Sequence, residues 1–331
     1  MINQIVSFQL LELLYNNHMI SIRSLRVDYE DITAVDDLNL EIPVGYICGL
    51  VGPNGAGKTS TIKALAGIIQ PTYGEIKING TDFELFREQA LQSLGYMPDF
   101  SPVYENLKVW EFLDVFAAAY LIDRGKRLDR VEYWMRRVNL TDKRNSYVRD
   151  LSRGMRQRLV LAKTLLHDPK VLLLDEPASG LDPIARKEMR ILLKEVAQEG
   201  KTILISSHIL TELSDFCTAI AIMEKGRLVV SGSIEEIRTR IGIKGHLVIR
   251  LSESVEKNMP WLRSCLEQVE HVNSVEQINA DEFKCVFTGQ AQEAAFLLKE
   301  LVQKGLPILN FYLKEDNVED IFFKIGAKDV S

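Results

Sequence analysis

Cysteine is scarce in this chain and is not arranged to bind a metal or to form a disulfide framework. Four cysteines occur in 331 residues, and no two of them form a C-x-x-C pair. Their scattered spacing does not match the usual zinc and redox motifs. We therefore expect reduced, mostly buried thiols in a cytosolic setting. The four residues are Cys48, Cys217, Cys265 and Cys285.

The chain also lacks a long hydrophobic run and an excess of positive charge. No apolar stretch approaches the ~20 residues that a membrane-spanning helix needs. The 40 Lys and Arg residues are outnumbered by 46 Asp and Glu residues, so the formal net charge is −6. An acidic balance argues against nucleic acid as the main partner. The length favours two domains, each able to bury its own core.

The first 18 residues contain no Lys or Arg, so they do not match the basic start of a secretory signal. The first predicted strand begins at Ile20, directly after Met19. We expect native translation to start at Met19, and intact-mass measurement of the native protein would test this. Alternatively, the leader 1–18 forms a short amphipathic helix that lies on a membrane or on a partner.

A glycine-rich loop between a predicted strand and a predicted helix is the first motif that carries chemistry. Residues 52–59 have the sequence G-P-N-G-A-G-K-T, which matches the phosphate loop G-x-x-x-x-G-K-[ST]. Glycines let backbone N–H groups approach phosphate oxygens, and the following helix N-terminus attracts anions. Lys58 is expected to reach the β- and γ-phosphates, and the Thr59 hydroxyl to ligate Mg²⁺. The predicted phosphate-binding residues are Gly52, Asn54, Gly55, Ala56, Gly57, Lys58, Thr59 and Ser60.

Two neighbouring acidic residues, Asp175 and Glu176, follow the apolar run 171–174. Such a run is typical of a buried parallel strand, since both faces of these strands are covered. Asp175 is placed to hold Mg²⁺, which favours hard oxygen ligands. Glu176 is placed to polarise the water that attacks the γ-phosphate. The alternative is a pair of acidic residues at an exposed strand end.

Residues 151–158 have the sequence L-S-R-G-M-R-Q-R and precede a helical pattern. Together with the phosphate loop and the acidic pair, this segment resembles the ATP-binding subunits of ABC transporters, whose signature motif is LSGGQ or a close variant. The resemblance covers roughly residues 20 to 232. It implies that Ser152 and Gly154 are presented across a dimer interface to the ATP held by the partner chain. On its own, the segment is also a helix N-terminus capped by Ser152.

The chain departs from that signature at two positions. Arg153 stands where the family has glycine, and Met155 stands where it has glutamine. Ser152 and Gly154 remain, so contact with a phosphate is retained in the prediction. The departure leaves open how the Arg153 side chain is oriented.

The resemblance implies roles for three further residues. Asp182 ends the short loop that follows Glu176 and that links the two ATP sites across the dimer. His208 follows the run 202–207, which predicts another buried strand, and matches the switch histidine that contacts the γ-phosphate. Tyr29 matches the aromatic residue that stacks on adenine, which suits the flat apolar face of its ring. Ordinary packing at a strand edge is an equal alternative for Tyr29.

Asp99 stands where the family carries the glutamine that senses Mg²⁺ and contacts the membrane partner. A carboxylate can accept from metal-bound water, but it adds negative charge beside the triphosphate. Two like charges ~6 Å apart cost ~3 kcal/mol at an effective dielectric constant near 20. We therefore expect Asp99 either to engage Mg²⁺ directly or to lie farther from the nucleotide. Phe100, Val103 and Tyr104 beside it are candidates for the interface with the membrane partner.

The predicted fold is of the α/β class. The resemblance implies a P-loop (RecA-like) ABC ATPase core with antiparallel β and helical subdomains, at residues 19–235, with the helical subdomain at about 85–160. A small α+β domain is predicted at 245–331, where strands and helices follow the order βαββαβ of the ferredoxin-like pattern. It carries no clustered His, Cys or carboxylates, so we predict no chemistry there. It is either a stabilising or dimerising appendage, or a regulatory or docking module.

The sequence thus predicts an ATP-hydrolysing subunit, with ATP and Mg²⁺ as its ligands, that powers a membrane transporter. Resemblance to the branch that pairs with export-type permeases favours an exporter. The implied partners are a multi-span transmembrane permease and a second ATP-binding subunit, with a homodimer favoured and nucleic acid excluded. The implied location is the cytoplasmic face of the membrane, to which the subunit binds peripherally.

Two other functions are compatible with a phosphate loop. A soluble ABC-type ATPase could remodel a protein or nucleic-acid complex, but the chain has one ATPase domain rather than two, no long coiled coil and no basic face. A P-loop kinase or GTPase would not require the motif at 151–154. The sequence also contains no N-K-x-D pattern for reading guanine.

Overall fold

The computed structural model describes residues 18–209, 213, 216–233, 236–237, 245–252, 266, 269, 271–279, 281–289 and 291–314. The chain divides into two compact units, and the division falls after Ile234. Nearly all of the leader 1–18 and parts of the predicted α+β domain, 253–265 and 315–331 among them, lie outside the described residues. Within the described residues, no helix has the combination of length and apolar character that crossing a membrane requires.

The described strands and helices alternate along the first unit and continue in the second. The strands are β1 (His18–Tyr29), β2 (Ile32–Pro43), β3 (Ile47–Val51), β4 (Tyr73–Ile78), β5 (Thr81–Asp82), β6 (Leu94–Met97), β7 (Val171–Leu174), β8 (Thr202–Ser207), β9 (Ala219–Glu224), β10 (Arg227–Gly232), β11 (Gly245–Leu251), β12 (Val272–Asn279), β13 (Glu282–Phe287) and β14 (Ile308–Lys314). The helices are α1 (Lys58–Leu65), α2 (Arg87–Gln92), α3 (Val109–Ala119), α4 (Arg124–Arg137), α5 (Arg153–Leu165), α6 (Pro183–Gln198) and α7 (Ala291–Gln303).

A six-stranded sheet, in the order β10-β9-β3-β8-β7-β6, forms the centre of the first unit. The pairs β3–β8, β7–β8, β6–β7 and β3–β9 are parallel. Every residue of β3, β7 and β8 is buried, as expected for strands that are covered on both faces. Because these three strands run in the same direction, the segments that follow them meet at one edge of the sheet. That edge positions the site.

A second sheet of the first unit is antiparallel, in the order β2-β1-β4-β5. In β1, buried Ile20, Ile22 and Leu25 belong to one core that also contains Ile62 and Leu65 of α1. Helix α1, which follows the phosphate loop, thus shares one core with both sheets. The mixed α/β architecture with an antiparallel sheet agrees with the predicted fold class.

The stretch at about 85–160 is largely helical, with α3 and α4 packed through fully buried Phe112 and Trp134. It also contains a strand, β6, which the helical prediction for this stretch did not anticipate. Residues Leu94–Met97 are too short a run for a buried helix, and they extend the parallel sheet beside β7. The backbone N–H of Asp175 donates to the Met97 carbonyl at 2.8 Å, so β6 reaches the edge where the site lies.

The second unit contains an antiparallel sheet in the order β12-β13-β11-β14. This is the strand order of the ferredoxin-like pattern. Helix α7 buries Ala294, Leu297 and Leu301 in the same core as Leu247 and Phe283 of the sheet. Across the described residues, the cysteines Cys48, Cys217 and Cys285 are buried free thiols, and Cys265 lies outside those residues.

Candidate functional site

The loop between β3 and α1 requires glycine for steric reasons. Gly57 caps α1 with φ 99°, and a Cβ on it would lie 2.4 Å from the Ala34 carbonyl oxygen. A Cβ on Gly52 would lie 2.3 Å from the Met223 carbonyl oxygen. Gly55 also has a positive φ, 81°, but it faces open space. At Gly52 and Gly57 the backbone therefore lies too close to its neighbours for a side chain, and it enters α1 directly after Gly57.

Lys58 lies folded back over this loop. Its Nζ donates to the carbonyl oxygens of Gly52, at 2.7 Å, and Pro53, at 3.1 Å. The side chain is buried, and this desolvation lowers the pKa of Lys58, while the negative charges of Glu176 and Asp175 oppose the shift. The ammonium is hydrogen-bonded to neutral backbone carbonyls, which it can exchange for the oxygens of an anion.

Thr59 and Asp175 bring two hard oxygen atoms together at the end of the loop. The Thr59 hydroxyl donates to Asp175 Oδ1 at 3.2 Å. Asp175 is buried, and its Oδ1 also accepts a 2.6 Å hydrogen bond from the Ser206 hydroxyl. The sequence placed Thr59 and Asp175 in one metal site from two distant motifs, and the fold does bring them into contact.

Glu176 has a positive φ of 48°, which is unusual for a residue other than glycine. Its backbone N–H donates to Ser206 Oγ at 2.9 Å, and its carboxylate Oε2 lies 2.9 Å from His208 Nδ1. An imidazole with its proton on Nδ1 donates that proton to the carboxylate. The contact joins two residues that were predicted separately from the sequence. Glu176 is the residue predicted to polarise the attacking water, and His208 is the predicted switch histidine.

Ser206 is the residue that the sequence prediction missed. Its hydroxyl donates to Asp175 and accepts from the Glu176 N–H, so it fixes both acidic residues at once. Register explains the position, because Leu174 at the end of β7 pairs with Ile205 of β8. The sequence feature that could have identified Ser206 is the pair of serines that follows the apolar residues of β8, directly before His208.

The signature segment and the loop after Glu176 end at two neighbouring helix N-termini. Ser152 caps α5, and its Oγ accepts from the Met155 N–H at 3.3 Å. Asp182 caps α6, and its Oδ1 accepts from the N–H groups of Ile184 and Ala185, both at 2.9 Å. A Cβ on Gly154 would lie 3.0 Å from Ala185 Cβ, so the two helix starts pack closely. Both polar residues thus act as helix caps in a single chain.

The other predicted residues are partly or fully exposed, apart from Ala56, which is buried. Tyr29 ends β1 with 42% of its surface exposed, and Asn54 is also exposed. Ser60, in the first turn of α1, is half-buried. Asp99 is exposed and lines a cavity with Phe100, Val103 and residues at the start of α5. Metal binding by Asp99 therefore stays a prediction.

The donor set suits a polyphosphate and a hard cation. Gly55 presents no side chain on the open side of the loop, so backbone N–H groups and the α1 N-terminus can approach an anion closely. Hydroxyl and carboxylate oxygens are the ligands that Mg²⁺ prefers, and Thr59 and Asp175 present one of each in contact. The residues present therefore fit both groups.

Comparison with known proteins places these motifs in one family. A family model described as ABC transporter matches residues 35–179. The chain is 34% identical to the bacitracin transport ATP-binding protein BcrA of Bacillus licheniformis, over 90% of this chain and 94% of that protein. It is 31% identical to the Nod factor export ATP-binding protein I of Cupriavidus metallidurans, over 94% of this chain and 98% of that protein.

Solved structures agree with this assignment. The ATP-binding subunit of an ABC transporter superposes with a TM-score of 0.62 at 29% identity, over 68% of this chain and 93% of that one. A dimeric bacterial ABC transporter cassette, at 23% identity and a TM-score of 0.59, shares the fold, over 65% of this chain and 99% of that one. The relatives support the predicted transport function over a remodelling ATPase, a kinase or a GTPase. The chain belongs to the ABC transporter family and is an ATP-binding, ATP-hydrolysing subunit of a transporter.

Proposed function

We propose that this subunit hydrolyses Mg²⁺-bound ATP at the edge formed by the phosphate loop, Asp175 and Glu176, and that it thereby drives an export-type permease. The observation that carries the proposal is the unbroken chain of contacts beneath the phosphate loop. Thr59 contacts Asp175, Ser206 bridges Asp175 and Glu176, and His208 contacts Glu176.

The residues that bind ATP act through charge and backbone geometry. Loop 52–57 and the α1 N-terminus would hold the phosphates, and Lys58 would turn from the loop carbonyls towards the β- and γ-phosphate oxygens. Thr59 and Asp175 would hold Mg²⁺, which neutralises charge on those oxygens when bound. Tyr29, exposed beside this edge, would stack on the adenine.

Glu176 would act as the general base for the attacking water. Its backbone is fixed by Ser206, and its carboxylate is oriented by His208, so its free lone pairs have a defined direction. Ionised carboxylates accept protons, and a positioned base typically contributes ~10² to 10⁴ in rate. His208 is exposed enough to turn from Glu176 to the γ-phosphate when ATP binds. The site then contains a base, a metal position and a phosphate cradle.

Two copies of the chain would close head to tail around two ATP molecules. Ser152 and Gly154 lie at the N-terminus of α5, where unpaired N–H groups and the helix dipole attract an anion. That anion would be the γ-phosphate of ATP bound to the partner. Asp182 would join the two sites through its loop. The solved cassette that shares this fold is dimeric, which supports the pairing of two chains.

The permease would dock beside Asp99. The cavity there is lined by Asp99, Phe100 and Val103, and by Arg156 and Val160 of α5. Phe100 has 85% of its surface exposed and Tyr104 has 58%. Aromatic residues exposed to this extent beside a cavity favour a protein partner. The two relatives named for bacitracin transport and Nod factor export support an exporter, with this subunit on the cytoplasmic face of the membrane.

The assignment of Glu176 is tested by separating ATP binding from hydrolysis. Glu176→Gln keeps the size and polarity of the side chain but removes the base, so we expect ATP hydrolysis to fall by about 10²-fold or more while ATP binding is retained. Lys58→Ala should lose both. The matched control is Glu84→Gln, which changes an exposed acid of the same unit. Hydrolysis by Glu176→Gln at the parental rate would refute the proposed role of that residue.

The partner is tested by a tagged pull-down from detergent-solubilised native membranes, followed by mass spectrometry. The proposal predicts a multi-span membrane protein in stoichiometric amount. Substitution of Phe100 by Ser should weaken its recovery, because it removes exposed apolar surface at the docking cavity. Recovery of soluble partners alone, with the chain absent from membranes, would contradict the proposal.

A further inference from the structure

Arg153, the residue that departs from the family signature, lies against the loop that follows Glu176. An ideal Cβ on Gly180 would lie 2.4 Å from Arg153 Cζ and 2.5 Å from its Nη1. The guanidinium therefore occupies the space that any side chain at position 180 would need. Gly180 has φ +66°, a backbone conformation that residues with a side chain rarely adopt.

The rest of this loop is fixed at both of its ends. The Ser179 N–H donates to the Glu176 carbonyl at 3.0 Å. At the other end, Arg186 of α6 donates from Nη2 to the Leu181 carbonyl at 3.1 Å. Gly180 lies between these anchors, and Arg153 is the contact that reaches it from α5. The loop thus runs from the proposed base to the start of α6 and lies against the start of α5, which carries the signature segment.

We propose that Arg153 is a positioning residue that holds loop 179–182 against the start of α5, so that the signature segment and this loop move as one body. The inference rests on the proposed function, in which the signature and the loop both serve the ATP sites of a dimer. Because the loop begins at Glu176, releasing it would also loosen the proposed base. The planar guanidinium of Arg153 fills the space that is left because Gly180 has no side chain.

The contact is tested with a double-substitution cycle on the isolated full chain. Arg153 also lines the proposed docking cavity, so measurements without permease keep lost permease contacts out of the result. Arg153→Ala removes the guanidinium and should lower kcat for ATP hydrolysis by about tenfold, since small errors in position are costly in rate. The KM for ATP should change less than twofold, because each chain's own phosphate loop binds the nucleotide.

Gly180→Ala should lower kcat strongly in the parent chain, because its methyl group displaces Arg153, and much less in the Arg153→Ala background. Gly200→Ala controls for backbone strain, because Gly200 has φ +91° and open space around it. Arg153→Lys keeps the charge without the flat guanidinium and should restore less than half of the lost kcat. Thermal unfolding of each variant shows whether the fold is retained.

Three results would overturn the inference. These are an unchanged kcat for Arg153→Ala, full rescue by lysine, or equal effects of Gly180→Ala in the two backgrounds. Full rescue by lysine would mean that Arg153 acts through its charge on the nucleotide. Failure of the proposed function is distinguishable, because it would leave Glu176→Gln at the parental rate whatever residue stands at 153.

Discussion

Ser206 supports both acidic residues of the site, so its removal should affect stability and activity together. Ser206→Ala deletes a 2.6 Å hydrogen bond to the Asp175 carboxylate and the acceptor of the Glu176 N–H. A hydrogen bond to a charged group contributes about 1.5 to 3 kcal/mol, and a buried donor left without a partner costs about 1 to 3 kcal/mol. Ser206 is buried, so water replaces neither contact readily. We expect a loss of about 3 to 5 kcal/mol.

This loss can be measured by thermal unfolding of the ATP-free chain. For a unit of this size each kcal/mol shifts the midpoint by about 2 to 4 °C, so the first unit should unfold about 6 to 20 °C lower. Hydrolysis should fall about tenfold or more, because Asp175 and Glu176 lose their common anchor. Thr164→Val is the matched control, since it deletes a buried hydroxyl of α5 that donates to the Val160 carbonyl. A Ser206→Ala chain with parental midpoint and parental rate would refute the role we assign to this hydroxyl.

Two further predictions concern the phosphate loop and the neighbouring strand. Gly57→Ala should destabilise the first unit more than Gly55→Ala in urea unfolding. Each substitution costs about 1 to 2 kcal/mol because the residue has a positive φ, and the methyl group at 57 would also clash with the Ala34 carbonyl. Equal losses of stability would contradict the steric argument. Burial, reinforced by the charge of Asp175, raises the pKa of Tyr96 to about 12. The unfolded chain therefore loses this proton near pH ~10, before the folded chain does, so stability present below that pH is lost as the pH rises towards 12. Tyr96→Phe should make the fall in the urea midpoint over this window less steep, and an unchanged slope would show that Tyr96 does not contribute.

The parts of the site that the sequence predicted are those fixed by local geometry. The phosphate loop requires glycines that are close in sequence, and Asp175 and Glu176 directly follow a run of apolar residues. Strand direction then brings them together, because segments after parallel strands meet at one edge. The location of Thr59 beside Asp175 could be predicted for this reason.

Contacts that depend on packing between distant elements could not be predicted. Ser206 reaches both acidic residues because of the register between β7 and β8, and the sequence of either strand does not determine that register. The orientation of Arg153 depends on how closely α5 and α6 approach at Gly154 and Ala185. Strand β6 was missed because a run of four apolar residues takes its conformation from the neighbouring strand.

We propose that ATP draws two copies of this chain together and that Glu176 is needed to release them. The most direct test is the solution mass of Glu176→Gln by light scattering, with and without ATP. We expect the mass of two chains with ATP, the mass of one chain without it, and the mass of one chain in both conditions when Lys58→Ala is added. A single-chain mass for Glu176→Gln at saturating ATP would refute ATP-driven pairing of two copies.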